Sequence, residues 1–354
     1  MTENRETDGS GARNPALDAV RAAAALVVVI GHALTVAGLC EGPSASAMAQ
    51  FVVAAGQPAV DLFFVLSGYV LAAGAAQRAN LRFVAARAVR LLPVMIVAVG
   101  FAVLLRPYAG GCKSVVCEEA PVSWQAAVKI LAFVGSLEEA RKVDPPLWTI
   151  GPEFWCSALV PLVAGIGGLA RRAVGGFVVA LAAVGLAVAG LAAPGFVCAP
   201  FVLAGAVIAG APAAGRVRWL AMVAGTLGLV ACAMLDEGYA ARFPTTAAAC
   251  LVVWGAASLS VWRGGLARWA GRISYPLYAL HFPLLAAGAQ WGAVGITTAA
   301  GISVMAAAIT ELVVDAPAIA LARRVRGQAA STMTGVSWSN VHWENSSSTK
   351  RMRP

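Results

Sequence analysis

The sequence predicts an all-α, polytopic transmembrane helical bundle of about ten spans, with both termini cytoplasmic. Three observations lead there. Hydrophobic residues make up 60% of the chain and charged residues 12%, too little charge to cover a water-soluble protein of 354 residues. The mean hydropathy is +0.77, and the apolar residues are gathered in blocks near the ~20 residues that a bilayer-crossing helix needs. The loops between the blocks alternate in charge.

Taken in order, the expected spans are 16–38, 57–77, 91–107, 147–169, 174–192, 196–213, 218–235, 244–262, 274–292 and 296–321. Every second loop is basic: Arg78, Arg82, Arg87 and Arg90; Arg171 and Arg172; Arg216 and Arg218; Arg263, Arg268 and Arg272; Arg323, Arg324 and Arg326. The intervening loops are acidic or mixed, with Glu41, then Glu118, Glu119, Glu138, Glu139 and Asp144 beside Lys113, Arg141 and Lys142, then Asp236 and Glu237 beside Arg242. Positive loops stay in the cytoplasm, and the alternation closes over ten spans without a remainder. Segment 121–137 is apolar but short and carries Lys129. A crossing there would break the alternation, so it reads as an interfacial or re-entrant helix on the outer side. Residues 15–326 form one membrane domain between polar ends, 1–14 and 327–354, that read as disordered.

The formal charge of +9 raises a nucleic-acid reading. The basic residues sit in short clusters between apolar blocks, however, as topology requires, so the expected partner is the lipid bilayer and not nucleic acid. The Ala-, Val- and Arg-rich composition points to a high-GC bacterium, and the expected location is its cytoplasmic membrane. None of the seven cysteines forms a CxxC pair or a Cys/His metal spacing, and no HxxxH or HExxH spacing occurs, so no metal is expected. Cys112 and Cys117 share a polar loop, where a disulfide and two plain thiols are both open readings.

Titratable groups inside a span are costly and mark functional sites by default. Here they are His32, Asp61, Glu153, His281, Glu311 and Asp315, with Arg21 near the inner end of its helix. Counting 1.5 Å per residue puts His32 about 22 Å, and Asp61 and Glu153 about 24 Å, above the inner face. The same count puts His281 and Glu311 in a lower layer, about 10 Å up. A histidine beside a carboxylate is the pairing that orients an imidazole as a general base, whereas purely structural interhelical bonds rarely call for histidine. Arg87 and Arg90, three apart on a helix, offer guanidinium forks suited to phosphate oxygens, with topology-setting charge as the simpler alternative.

The strings around these residues resemble the acyltransferase 3 family. Leu17-Asp18-Ala19-Val20-Arg21 running to His32 is similar to its opening, and Asp61 to Tyr69 to its second-span signature. Arg87 to Arg90 with Leu91-Leu92-Pro93 is similar to its RxxR motif, and Trp148 to Glu153 to its WSxxxE segment. Gly271 to His281, with Ser274 and Tyr275, resembles its late ISYxLYxxH span, and Asp315-Ala316-Pro317 stands where Glu-x-Pro is usual. The chain departs from the pattern at Gly151 and Pro152, at Phe154 in place of a second acidic residue, and at Asp315. With no hydrolase-like domain after the last span, it reads as a stand-alone member.

The resemblance implies transfer of an acyl group, usually acetyl, from cytoplasmic acyl-CoA to a hydroxyl of a glycan, a glycolipid or a glycosylated small molecule. On that reading Arg87 and Arg90 hold the CoA phosphates and the pantetheine arm runs up the bundle. His32 then deprotonates the acceptor, oriented by Asp61 or Glu153, or is itself acylated and relays the group. Arg21 serves the oxyanion or the CoA. His281, Tyr275, Ser274 and Glu311 make a second polar layer with no assigned step. The rival readings are a proton-coupled transporter, disfavoured by the absence of an internal repeat, and a non-catalytic membrane assembly subunit.

Overall fold

The computed structural model describes residues 14–40, 45–73, 81–112, 121–170, 198–209, 215–234, 242–257, 259 and 264–327. Every regular element among them is helical. The longer helices are α1 (Pro15–Val36), α3 (Gly56–Ala73), α4 (Leu81–Leu105), α7 (Ile150–Ala170), α9 (Gly215–Cys232), α10 (Arg242–Ala256), α11 (Gly265–Gly288) and α12 (Gly292–Thr310). Shorter ones are α2 (Ala47–Ala54), α5 (Trp124–Leu131), α6 (Leu137–Arg141), α8 (Ala199–Ile208) and α13 (Ala316–Val325). The stretches Pro15–Val36, Ala47–Ala72, Leu81–Tyr108 and Gly265–Val325 are long and apolar enough to cross a membrane. The expected span 174–192, the loop cations Arg171 and Arg172, and the polar ends 1–13 and 328–354 lie outside the described residues.

Local chemistry sets the helix starts. Asn14 caps α1, its side chain accepting from the Ala16 and Leu17 N–H groups, with Pro15 in the first turn where no donor is needed. Helix α11 is the axis of the bundle: it packs on α1, α4 and α12. Its residues enter all three apolar cores: Tyr278 joins one, Ala279 and Leu280 a second, and Leu277, Phe282 and Leu285 a third. A helix buried on every side is what a continuous apolar sequence produces. At Gly292, φ is +62°, a value that suits glycine, and the chain reverses there so that α12 returns along α11. Beyond α12 the helix widens to a π turn, Glu311–Asp315. Pro317, lacking an N–H and crowding the preceding carbonyls, gives that widening its cause.

One sequence expectation changes here. Helix α4 begins at Leu81 and α11 at Gly265, so Arg82, Arg87, Arg90, Arg268 and Arg272 are helical residues and not loop residues. Their long stems tolerate the ends of apolar helices, which hides the boundary from a hydropathy reading. Segment 121–137 holds an eight-residue helix, α5, about 12 Å long and far short of a crossing. It buries Ala126, Ala127 and Ile130 and leaves Trp124 exposed. A capping box between Ser136 and Glu139 starts α6, and Lys129 pairs with Glu139. That bond, with the Ser136 backbone, lowers the Glu139 pKa to about 2. Cys112 is disulfide-bonded and Cys40, Cys156, Cys198, Cys232 and Cys250 are free, while Cys117 lies outside the described residues.

Candidate active site

Two cavities lie back to back within the bundle. The larger, about 650 Å³, is lined by His32, Gln50, Gln57, Arg141, Trp148 and Tyr278 among others. The smaller, about 100 Å³, is lined by Arg21, Ser67, Arg87, Arg90, Glu153 and Tyr275 among others. Val60 and Tyr278 line both, so they form the wall between them. The Tyr278 hydroxyl donates to the Pro146 carbonyl at 3.1 Å and lies 3.0 Å from the Thr149 hydroxyl. Phe63 meets its ring edge-on at 5.8 Å between centroids.

On the larger cavity, His32 takes His281 as its partner: Nδ1 of His32 is 2.8 Å from Nε2 of His281. The other nitrogen of His281, Nδ1, is 3.0 Å from the Leu277 carbonyl on its own helix. A carbonyl can only accept, so His281 Nδ1 carries the hydrogen. For a neutral pair the rest follows: His281 Nε2 accepts, His32 Nδ1 donates, and His32 Nε2 keeps its lone pair. Phe282 meets the His32 ring edge-on at 5.4 Å, fixing its plane. One backbone carbonyl thereby sets the tautomer of two rings.

This departs from the layers expected from residue counting. His281 stands at the level of His32, not in a lower layer with Glu311, which pairs with Arg272 at 3.2 Å. Glu153 belongs to the smaller cavity, accepting from Arg87 at 3.0 Å and from Ser67 at 2.9 Å. The count failed because α7 does not start at a membrane face. A buried 3₁₀ turn, Pro145–Thr149, precedes it, so the helix begins inside the bundle. Asp61 is buried and accepts from Gln57 at 3.0 Å, standing behind the amide that lines the larger cavity. Ser274 bonds back to the Gly271 carbonyl and Tyr275 donates to the Leu91 carbonyl, both on the smaller cavity.

Arg87 is buried and lines the smaller cavity, its Nη2 bonded to Glu153 and its Nε to Ser157 at 3.1 Å. Arg90, one turn on, lines the smaller cavity, as does Arg21, which reaches Asp18 at 3.6 Å. Among the described residues no group of three or more His, Cys, Asp or Glu side chains is gathered as a metal site needs.

A family model described as an acyltransferase domain, that of acyltransferase 3, matches residues 14–313. The chain belongs to the acyltransferase 3 family. No curated protein and no solved structure matches it. Family and apolar helices together make it an integral membrane acyltransferase.

The departures of this acyltransferase from its family pattern have local reasons. Phe154 stacks on Phe133 at 4.2 Å between centroids, inside an apolar core where a second carboxylate would have no partner. Gly151 lies against the Phe133 carbonyl, which a Cβ there would meet at 2.9 Å. Tyr278, Thr149 and Arg141 were not singled out by sequence reasoning. The spacing of Tyr278, three before His281 on one helix face, was the available signal. Nothing local marks Thr149 or Arg141: the turn at 145–149 brings in the first, and the short helix α6 the second.

Proposed function

We propose that this protein is a multi-pass acyltransferase of the bacterial cytoplasmic membrane, with about ten spans and cytoplasmic termini. It moves an acetyl group from acyl-CoA to a hydroxyl of a sugar-containing acceptor. The thioester enters from the arginine-lined end and the acceptor occupies the larger cavity. The observation that carries this reading is the pair of cavities sharing one thin wall, with a lone-pair-bearing imidazole on one side and arginines on the other.

In the reaction, His32 Nε2 takes the proton from the acceptor hydroxyl as its oxygen attacks the thioester carbonyl beside Tyr278. The tetrahedral intermediate collapses with breakage of the C–S bond. The His32 imidazolium returns the proton to sulfur, so the products are an O-acetyl ester and CoA thiol. His281 accepts from His32 Nδ1–H throughout and so acts as a positioning residue. The acceptor side suits a sugar: the Gln50 and Gln57 amides and the Trp148 ring line one cavity, and amides with an aromatic face match hydroxyls and C–H faces. The carrier of that sugar is a glycan, a glycolipid or a glycosylated small molecule.

The test is incubation of the purified protein with acetyl-labelled acetyl-CoA and a panel of sugar hydroxyl acceptors, following label on the acceptor and release of CoA thiol. Stoichiometric appearance of both is expected. Acceptor crossing a vesicle membrane without acquiring label, with no thiol released, sinks the proposal in favour of transport.

A further inference from the structure

A third cavity, of about 240 Å³, lies at the arginine end and is lined by Arg21, Arg90, Arg323 and Arg326 with Asp18 and Asn14. It shares Arg21, Val70 and Arg90 with the smaller of the two cavities described above, so the two are continuous. Four guanidinium groups thus face one space with one carboxylate, and that carboxylate is engaged by Arg21. The Nε groups of Arg90 and Arg326 are buried without a hydrogen-bond partner among the described residues. Helix α13 packs on α4, which brings Arg323 and Arg326 to Arg90, and the Arg326 guanidinium lies 5.5 Å over the Phe83 ring. Burial first, then Arg87, Arg90 and Arg323, lowers the Arg326 pKa. Like charges gathered around unfilled donors repel one another unless an anion sits among them.

We propose that Arg323 and Arg326, at the end of the last described helix, join Arg21 and Arg90 in a cradle for the phosphates of the acyl-CoA. Its ligand chemistry is the phosphate mono- and diester, matched by guanidinium forks. Continuity with the cavity that leads to Tyr278 selects a phosphorylated thioester carrier over a lipid headgroup. Arg87 is not among the residues lining this third cavity; it lines the smaller one, where Glu153 and Ser157 hold its Nη2 and Nε. This inference rests on the acyl-CoA reading above.

The experiment measures CoA and S-acetylpantetheine binding to the full-length protein in phosphatidylcholine nanodiscs by titration calorimetry. Native protein is compared with Arg323→Ala/Arg326→Ala and with Arg323→Lys/Arg326→Lys. The Ala pair is expected to weaken CoA binding about tenfold or more relative to S-acetylpantetheine, added salt should weaken native CoA binding, and the Lys pair should recover part of the loss. An unchanged ratio of the two dissociation constants in both variants overturns the cradle. So does an equal loss for both ligands, which would place these arginines in folding. If the variants keep CoA affinity but lose stabilisation by phosphatidylglycerol nanodiscs, the cradle holds a lipid headgroup and the assignment is wrong. Failure of native protein to bind either ligand defeats the acyl-CoA reading itself, a separate outcome.

Discussion

At the arginine end of the bundle, Arg87 is buried and meets the Glu153 carboxylate at 3.0 Å; at the opposite cavity, His32 and His281 meet at 2.8 Å. The first contact joins full charges. Removing one partner strands the other, a loss of about 3–5 kcal/mol for a buried pair. The second is an ordinary hydrogen bond worth about 1 kcal/mol to stability, but it decides where a lone pair sits. The two sites therefore differ in what they hold in place. The ion pair ties α4 to α7 and so shapes the passage between cavities. The imidazole pair contributes little to folding and everything to the reactivity of one nitrogen. Substitutions should read out as stability at one end and as turnover at the other.

The largest effect is expected at His32. His32→Ala should lower kcat for acetyl transfer by about 10³-fold, the middle of the range for a general base, while the unfolding temperature moves little. A variant that unfolds readily yet turns over normally when intact would reverse the division. Next is Arg87→Ala, expected to destabilise by about 3 kcal/mol, because the ion pair is nearly closed to solvent on the arginine side, with side-chain exposure of 4% against 24% for Glu153. Arg87→Ala combined with Glu153→Ala should cost clearly less than the sum of the single losses, the mark of a direct pair in a double-mutant cycle. Additive losses would mean that Arg87 acts on something other than Glu153.

Much of this could be read from the sequence, and the failures are specific. The helical membrane architecture was legible because lipid leaves the backbone few alternatives and apolar blocks announce themselves. His32, Asp61, Glu153, His281, Glu311, Asp315 and Arg21 stood out as candidates because titratable groups are rare in apolar helices, and Arg90 stood out through its spacing from Arg87. Their pairing was not legible. Residue counting assumes that a span begins at a membrane face, and the buried turn at Pro145–Thr149 breaks that assumption for Glu153. His281 was misplaced because α11 starts at Gly265, nine residues before the apolar block at 274 suggested. The π turn at Glu311–Asp315 turns Asp315 toward the smaller cavity while Glu311 faces Arg272, a division no straight-helix count anticipates.

His281 offers the sharper probe of the neutral site. His281→Leu removes the acceptor for His32 Nδ1–H and frees the ring to turn. The expected loss is about 10²-fold in kcat, the scale of a misplaced reacting group, with KM for acetyl-CoA unchanged. His281→Gln keeps an oxygen that accepts and should recover part of the activity. Equal losses in both variants would show that volume, and not the hydrogen bond, is what His281 supplies.

The smallest effect concerns Asp144, a carboxyl just before the turn that carries Pro146 and Thr149 to Tyr278. Asp144 is fully buried, and neither of its oxygens has a hydrogen-bond partner among the described residues. Burial raises its pKa well above the usual carboxylate value, and the nearby Arg106 charge opposes that only in part. A folded pKa above the unfolded one means that folding takes up a proton. The stabilising contribution is therefore complete below the unfolded pKa of about 4 and is lost as pH rises through the raised folded value. Asn has nearly the same shape and no proton to lose. Asp144→Asn should therefore match the native protein in acid and exceed it by about 1 kcal/mol near neutrality, the scale of an unsatisfied buried polar group. Thermal unfolding across that pH range checks the sign: a variant less stable than native at neutral pH would mean that the Asp144 carboxylate is held ionised by Arg106, and that charge pairing extends to the histidine side as well.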